Sequence, residues 1–378
     1  MKLIALKDVC KINMGQSPNS SNYNDYGDGM PFFQGNADFG ERYPITRVWC
    51  NTPTKIAQAE DILISVRAPI GALNYAKEEC CIGRGLAAIT PDRNKVSQDF
   101  IYWALKGKKA ELNDKGNGST FKAISRKILE QTMIPDINFE QQHKCAENLE
   151  KIYGIIQNRR KELLALDDLI KARFVEMFGS PVSNPMSWEK RTLKEVCIKL
   201  NDGSHFSPES FETGDYKYVT AKNIKFSGFD FSNITYVPEA VHRPIFDRCN
   251  PEFEDVLYIK DGATTGVAIV NTLDEEFTLL SSVALLKQDR SIMNGYFLAT
   301  LLNNKDMYLN IRNNMGGAAI TRLTIAKLNA IEIIVPPIEL QNQFAAFVAE
   351  VDKSKVAVQK ALDETQTLFD SLMQEYFG

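Results

Sequence analysis

The feature that most constrains this chain is an internal duplication, because the second half repeats the first half motif by motif. The recurring motifs come in the same order and pair as follows: Leu6–Cys10 with Leu193–Cys197, Ala59–Ile64 with Phe253–Tyr258, Ile134–Gln142 with Val335–Gln343, and Met177–Gly179 with Tyr376–Gly378. Several motifs in one order at a near-constant offset indicate two copies of one structural unit. We therefore expect two similar domains in tandem.

Each copy has a strand-rich part followed by one long helix. Short apolar runs lie between Gly, Asn, Asp and Pro, and helical stretches interrupt them, which is typical of a mixed α+β globule. From about Phe139 to Phe178 there is no proline and Gly154 is the only glycine, so a helix of roughly 60 Å is expected. The predicted fold class is α+β. The predicted segments are globules at 1–138 and 180–338, and long helices at 139–179 and 339–378.

The two predicted helices carry apolar residues at alternating spacings of three and four. The seam positions are Leu149, Ile152, Ile156, Leu163, Leu166 and Ile170 in the first helix, and Val351, Val358, Leu362, Phe369 and Leu372 in the second. A sustained heptad seam needs a partner helix. Two such seams in one chain most simply pair as an antiparallel coiled coil; the alternative is that each helix packs on its own globule. The seams are interrupted by Arg159 and Arg173 in the first helix and by Lys355 and Thr365 in the second.

The chain lacks the strong excess of basic residues that would favour binding to a nucleic acid. The formal net charge is −4. Residues 1–138 carry 18 basic and 15 acidic side chains, whereas residues 181–338 carry 16 and 19. If the ligand is a nucleic acid, local clusters or a more basic partner must meet its phosphates.

The positions of the cysteines and histidines argue against a disulfide-stabilised protein and against a Cys/His metal site. The seven cysteines are scattered without a CxxC pair, and the three histidines do not share metal-ligand spacing with them. This pattern argues against a disulfide framework and favours a reducing compartment. No run is long and apolar enough for a membrane span or a signal peptide, so a cytoplasmic location is expected.

Enzyme signatures are missing from the sequence. Pro336-Pro337 follows Val335 rather than Asn or Asp, so the motif of an amino-methyltransferase is not present. Neither a dinucleotide loop nor a P-loop occurs, and Asp215-Tyr216-Lys217 is an isolated match to part of a nuclease motif. The pattern indicates a binding protein with a spacer, and we expect no cofactor or metal on the chain itself.

The duplicated plan resembles the specificity subunits of type I restriction–modification enzymes. The resemblance rests on Glu60–Gly71 and its partner in the second copy, on the Ile-Pro and Val-Pro-Pro hinges before each long helix, and on the Phe-Gly that closes each copy. It covers essentially the whole chain.

The resemblance implies a non-catalytic subunit with two target-recognition domains, which reads two different half-sites of double-stranded DNA. It also implies partners: two modification subunits that methylate adenine N6 with S-adenosylmethionine, and restriction subunits that cleave DNA with ATP and Mg²⁺. Two alternatives remain open. One is the recognition subunit of a related, type IIB-like methyltransferase–nuclease, and the other is a coiled-coil scaffold whose globules bind protein.

Candidate DNA contacts are cationic and amide side chains in glycine-rich loops, since these groups hold phosphates and read base edges. In the first copy they are Arg67, Arg84, Lys115, Asn117, Ser119 and Lys122; in the second they are Lys222, Asn223, Lys260, Thr264, Thr265 and Arg322. The loops Lys115–Lys122 and Gly316–Arg322 occupy matching positions. The Ser- and Asn-rich stretch Gly15–Gly29 is either a third reading loop or a mobile one.

Overall fold

The computed structural model describes residues 2–117, 122–313 and 322–378, which fall into two compact units. Unit 1 comprises Met1–Arg160 and Lys360–Gly378, and unit 2 comprises Lys161–Gln359. Each unit therefore contains one globule together with one part of each long helix.

Unit 1 is built on short strands and helices. Its strands are β1 (Leu3–Ala5), β2 (Cys10–Met14), β3 (Tyr23–Asn24), β4 (Met30–Phe33), β5 (Trp49–Cys50), β6 (Ile56–Ala57), β7 (Ile62–Ser65), β8 (Leu73–Tyr75), β9 (Cys80–Ile82), β10 (Leu86–Pro91) and β11 (Met133–Pro135). Its helices are α1 (Leu6–Val9), α2 (Gln98–Gly107), α3 (Lys109–Asp114), α4 (Arg126–Glu130) and the first part of α5 (Phe139–Phe178).

Unit 2 repeats this order with one additional helix. Its strands are β12 (Lys190–Thr192), β13 (Cys197–Asp202), β14 (Tyr216–Val219), β15 (Ile224–Lys225), β16 (Gly228–Phe229), β17 (Thr235–Val237), β18 (Val256–Ile259), β19 (Ala268–Val270), β20 (Thr278–Leu279), β21 (Val283–Gln288) and β22 (Glu332–Ile334). Its helices are α6 (Leu193–Val196), α7 (Glu239–Arg248), α8 (Gly295–Asn303), α9 (Lys305–Asn313), α10 (Ile325–Asn329) and the first part of α11 (Ile338–Phe377).

The sheets show the duplication directly. The antiparallel order β2-β10-β7-β8 in unit 1 matches β13-β21-β18-β19 in unit 2, and β1-β11 matches β12-β22. A parallel strand pair also recurs, as β4 with β9 and as β14 with β20. The units differ around this pair: unit 1 extends it to β3-β5-β4-β9-β6, whereas unit 2 has β17-β14-β20, a separate β15-β16 hairpin and α7. The predicted α+β fold with an internal tandem duplication is confirmed, and the two copies share a framework with different insertions.

The central sheet of unit 2 is covered on both faces, which explains its continuous apolar strands. On β18, Val256 and Tyr258 join the hydrophobic core formed with α8 and the long helices. The alternate residues Leu257 and Ile259 join a second core around Phe277. Successive side chains point to opposite faces of a strand. A strand between two cores is therefore apolar at every position and shows no polar alternation.

The two long helices pair antiparallel within unit 1. Asn148 on α5 lies 3.4 Å from the hydroxyl of Tyr376 on α11. About three turns further along α5, the guanidinium of Arg159 donates to the carbonyl of Ala361 and to the hydroxyl of Thr365. Rising residue numbers on one helix meet falling numbers on the other, so the predicted antiparallel pairing is observed in this unit.

The same antiparallel pairing occurs within unit 2. Lys355 on α11 forms an ion pair of 2.6 Å with Asp167 on α5. Closer to the end of α5, the ring of Phe174 lies 5.6 Å from the ring of Phe344. Three of the polar residues that interrupt the seams, Arg159, Thr365 and Lys355, thus bond across the helix pair. A polar position there can fix the register at some expense of stability.

The seam prediction agrees with the burial pattern over most of its length. The side chains that are buried or half-buried are Leu149, Ile152, Ile156, Leu163, Leu166, Ile170, Val351, Val358, Leu362, Phe369 and Leu372. Near the end of α5 the core shifts by one position: Phe174 and Phe178 are buried, whereas Arg173 is half-buried and pairs with Glu176. A straight helix drifts by about 20° per heptad relative to a strict seven-residue repeat, which accounts for this shift.

Candidate nucleic-acid interface

One end of the central sheet of unit 1 gathers several loops. Gly15 follows β2 and donates its N–H to Leu86 at the start of β10, at 2.9 Å. Val66 follows β7 and donates to Gly85 at 2.9 Å. A Cβ at Gly15 would lie 2.2 Å from the carbonyl oxygen of Gly83, so this position requires glycine. We call this end the loop edge of unit 1; it consists of Gly15–Ser17, Gln34, Val66–Ala68, Gly83–Gly85, Asn117 and Lys122–Ala123.

The loop edge contains four of the predicted contacts, and three of them lie on adjoining segments of backbone. Arg67 is exposed and forms an isolated β-bridge with Ala123. Asn117 bridges the same Ala123, and Ala68 donates to the carbonyl of Lys122 at 3.0 Å. Arg67, Asn117 and Lys122 therefore lie on neighbouring backbone segments, although 50 residues separate the first two in sequence.

Arg84 belongs to the same edge, one strand away from Arg67. Its backbone N–H lies 3.2 Å from the hydroxyl of Ser17, and that hydroxyl lies 3.1 Å from the amide oxygen of Gln34. The sequence prediction included Arg84 but omitted Gln34. The signal that could have found Gln34 is the pair Gly83 and Gly85, because a Cβ at either one would collide with Gln34.

Lys115 lies near this edge with its charge already paired. Its ammonium is 2.5 Å from the Glu111 carboxylate one turn earlier on α3, and the lysine side chain is exposed. An exposed pair of this kind contributes about 0–1 kcal/mol. Lys115 can therefore exchange Glu111 for a phosphate at little expense. Ser119 lies outside the described residues, as does the rest of its loop from 118 to 121.

The Lys115 and Lys122 side chains provide a direct test of this surface. In a DNA complex, replacing both with alanine should lower the affinity and reduce the slope of log K against log salt by about one unit per lost phosphate contact. Titrations at several salt concentrations measure both quantities. The matched control is Lys11→Ala, an exposed lysine at the opposite end of the same sheet, beside Thr90. If the double variant keeps the slope of the unchanged protein, this loop is not part of the interface.

Unit 2 has an equivalent loop edge, formed by Asp202–Ser204, Thr220–Lys222, Lys260–Gly262, Ser282 and Arg322–Leu323. Lys260 donates to the carbonyl of Ser282 at 2.9 Å, as Val66 does to Gly85 in unit 1. Asp261 bridges Arg322, as Arg67 bridges Ala123. Lys222 is exposed beside Ala221, whose N–H lies 3.3 Å from the Ser282 hydroxyl. Thr264 is exposed in the turn that follows β18. Of the predicted loop Gly316–Arg322, only Arg322 is among the described residues.

Three predicted contacts in unit 2 need correction, because their side chains are buried. Asn223 accepts hydrogen bonds from the N–H and the hydroxyl of Thr220 and closes a turn. The Thr265 hydroxyl donates to the carbonyl of Gly262 at 2.7 Å. Lys260 lies between two carboxylates inside the unit. These three side chains support the loops and are not surface groups.

Thiol reactivity is suppressed by burial. All seven cysteines are free, and burial is the main cause that raises the pKa of several of them to about 12: Cys10, Cys80, Cys145, Cys197 and Cys249. These thiols remain protonated at neutral pH. Within the described ranges, no group of three His, Cys, Asp or Glu side chains is placed to hold a metal ion. Among the same residues, every helix is too short or too polar to cross a lipid bilayer.

Known proteins share this architecture. The sequence matches the family of type I restriction modification DNA specificity domains over residues 1–165 and again over residues 185–365. The chain therefore belongs to this family and carries two copies of its domain.

Individual relatives agree with that assignment. The MjaX specificity subunit of a type I restriction enzyme, from Methanocaldococcus jannaschii, is 47% identical over 152 residues, which cover 40% of this chain and 36% of that relative. The MjaIX specificity subunit of the same organism is 24% identical over 400 residues, or 97% of this chain and 90% of the relative. The S subunit of a type I restriction-modification system from M. genitalium has the same fold, with a TM-score of 0.62 at 16% identity, over 100% of this chain and 96% of that structure.

Proposed function

We propose that this chain is the DNA-recognition subunit of a type I restriction–modification complex. In this role each unit reads one half-site of a bipartite target, and the chain docks the subunits that carry out the chemistry. The chain itself supplies recognition and no catalysis.

The observation that carries the proposal is the pair of loop edges. Both are built on equivalent strands joined by equivalent backbone hydrogen bonds. One example is the bond from the N–H of Val66 to the carbonyl of Gly85 in unit 1, which corresponds to that from Lys260 to Ser282 in unit 2. A glycine stands at the same tight crossing in each, since a Cβ at Gly203 would lie 1.8 Å from the carbonyl oxygen of Leu279, as one at Gly15 would collide with Gly83. A conserved framework that positions polar loops at one end is the arrangement that a recognition domain requires.

The side chains on these two edges differ, which supports two different half-sites. The bridging pair is Arg67 with Ala123 in unit 1 and Asp261 with Arg322 in unit 2. Base identity is read by the donor and acceptor pattern of side chains in the groove. Arg67 in unit 1 is replaced by the oppositely charged Asp261 in unit 2, and Ala123 is replaced by Arg322. We therefore expect the two units to read different bases.

The partners follow from the same proposal. Methyltransferase subunits, two of them in the simplest arrangement, would bind S-adenosylmethionine and methylate adenine. Restriction subunits would bind ATP and Mg²⁺ and cleave the DNA. These groups belong to the partner chains.

Methylome sequencing tests the proposal. A host that carries the partner subunits should show one bipartite adenine-methylation motif with this chain and lose it when the chain is deleted. The purified chain alone should transfer no methyl group from S-adenosylmethionine to DNA. Methyl transfer should appear only after the methyltransferase subunits are added. A methylation pattern that is identical with and without the chain would contradict the proposal and favour a protein-binding scaffold.

A further inference from the structure

Unit 2 holds a buried ion pair directly behind its loop edge. The Lys260 ammonium lies 3.3 Å from a carboxylate oxygen of Asp202 and 3.0 Å from one of Asp261. The side chains of Lys260 and Asp202 are 2% and 4% exposed, respectively. A buried lysine with two carboxylates is costly to desolvate and is often no more stabilising than apolar residues of similar volume.

The fold of these units does not require this ion pair. In unit 1 the residue equivalent to Lys260 is Val66, since each follows its strand and accepts from the same partner position, Ile124 or Leu323. The equivalent of Asp202 is Met14, since Met14 pairs with Ala87 and Asp202 pairs with Ala284 in matching registers. Unit 1 therefore builds the same sheet end with a valine and a methionine.

The ion pair supports a surface arginine. Asp261 lies between Lys260 and Arg322, and the Nε of Arg322 is 3.1 Å from the Asp261 carboxylate. The Arg322 side chain is 60% exposed, whereas that of Asp261 is 21% exposed. The backbones of Asp261 and Arg322 also form a β-bridge, so both ends of this contact are fixed to the sheet.

We propose that Arg322 reads a guanine in the half-site of unit 2, and that Asp261, Lys260 and Asp202 are positioning residues that hold its guanidinium in place. This inference rests on the proposed function. A guanidinium that is ion-paired with a carboxylate through its Nε leaves its two terminal nitrogens available as a fork, and that fork matches the O6 and N7 acceptors of guanine.

The pairing of Arg322 with a carboxylate favours a base edge over a phosphate. The cluster holds three cations, Lys260, Arg248 and Arg322, around the carboxylates Asp202 and Asp261, and Asp261 lies directly beside Arg322. A phosphate contact gains from net positive charge, whereas a base contact gains from a donor fork held in one orientation. Fixing a long side chain before binding also removes part of the entropy that ordering it would otherwise cost.

Unit 1 presents its arginine from the opposite strand of the same bridge. Arg67 occupies the position of Asp261, and Ala123 occupies that of Arg322. No ion pair involves Arg67 among the residues described in the structure. The two units thus offer one guanidinium each at this bridge, but only that of unit 2 is held by a carboxylate.

The first experiment uses the assembled complex with its methyltransferase subunits. Duplexes of the methylated motif, each with one base pair replaced, give the discrimination at every position as a ratio of Kd values. Arg322→Ala should lower the discrimination at one G·C pair in one half-site by about 5- to 150-fold and leave the other half-site unchanged. Arg322→Lys should lose the same discrimination, because an ammonium has the charge but lacks the planar fork.

The second experiment tests the positioning residues. The double variant Asp202→Met with Lys260→Val copies the pair that unit 1 uses and removes both buried charges together, so the unit should still fold. Discrimination at the Arg322 position should fall by about 2- to 12-fold, the range expected for freeing one ordered side chain. Discrimination at all other positions should remain.

The outcomes separate this inference from the function on which it rests. If the unchanged complex shows no sequence preference, the proposed function fails. If the complex is specific but Arg322→Ala weakens all duplexes equally, or Arg322→Lys restores full discrimination, then Arg322 is a phosphate contact and the inference is overturned. If the Asp202→Met, Lys260→Val variant keeps full discrimination at the Arg322 position, the positioning role is overturned. Comparing the thermal unfolding of this variant with that of Arg322→Ala, a surface change, identifies any loss that is due to folding.

Discussion

A variant with one heptad inserted into each long helix is expected to recognise the same half-site bases across a longer unread spacer. The insertions belong between Arg160 and Lys161 in α5 and between Gln359 and Lys360 in α11, where each helix passes from one unit to the other. Seven residues add about 10 Å of helix, and B-DNA rises about 3.4 Å per base pair. If the paired helices set the spacing of the half-sites, the spacer grows by about three base pairs. Methylome sequencing measures the motif directly.

The control for this variant is the same heptad in α5 alone. Matched insertions keep Arg159 opposite Thr365 and Lys355 opposite Asp167, whereas a single insertion moves the second of these pairs out of register. The single variant should therefore lose activity or stability. An active double variant whose motif keeps the original spacer would show that the helices do not measure the distance.

Replacing Phe344 with alanine is expected to destabilise unit 2 by about 3–5 kcal/mol, the usual cost of truncating a buried phenylalanine. Phe344 is 0% exposed. Its ring lies 5.6 Å from that of Phe174 and 5.7 Å from that of Phe178, and these rings also pack on Phe297. The substitution opens a cavity where α5, α8 and α11 meet. Urea unfolding of the full chain measures the loss, and hydrogen exchange assigns it to unit 2.

Val356→Ala is the matched control for Phe344→Ala, because it truncates an apolar side chain on the same helix that is 70% exposed. Its effect on the free energy of unfolding should stay within about 0.5 kcal/mol. Equal stabilities of the two variants would contradict the assigned core.

The long helices could be predicted from the sequence because their signal is local and periodic. The seam positions and the absence of proline over 40 residues identify each helix without knowledge of its partner. The pairing of Arg159 with Thr365 could not be predicted, since the two residues are 206 positions apart. The seam positions also do not show where helical drift moves the core from Arg173 to Phe174, because Phe174 packs on Phe297 of a third helix that is distant in sequence.

The loop edge was predicted in part, for reasons that differ between residues. Arg67 and Arg84 were found because they stand beside glycine or proline after strand-like runs. Lys260 has a similar local sequence, but its partner Asp202 comes from a strand 58 positions earlier, so its burial has no local signal. The wrong prediction at Asn223 could have been avoided. Thr220, three residues before it, forms a capping pattern with Asn223 that occupies the Asn223 side chain.

The composition of unit 1 determines when it can finish folding during synthesis. Phe369 and Phe377 are buried in this unit, against Trp103 and Phe100 respectively, although they are made long after the globule that they cover. Roughly 200 residues separate the two parts of unit 1, and at about 5–20 residues per second the ribosome needs about 10–40 s to make them. For that time the apolar surface around Trp103 is covered by α5, through Tyr153, but not by α11. Unit 1 thus begins to emerge from the ribosome before unit 2 but is completed after it, and a chaperone that binds apolar surfaces has its longest opportunity there.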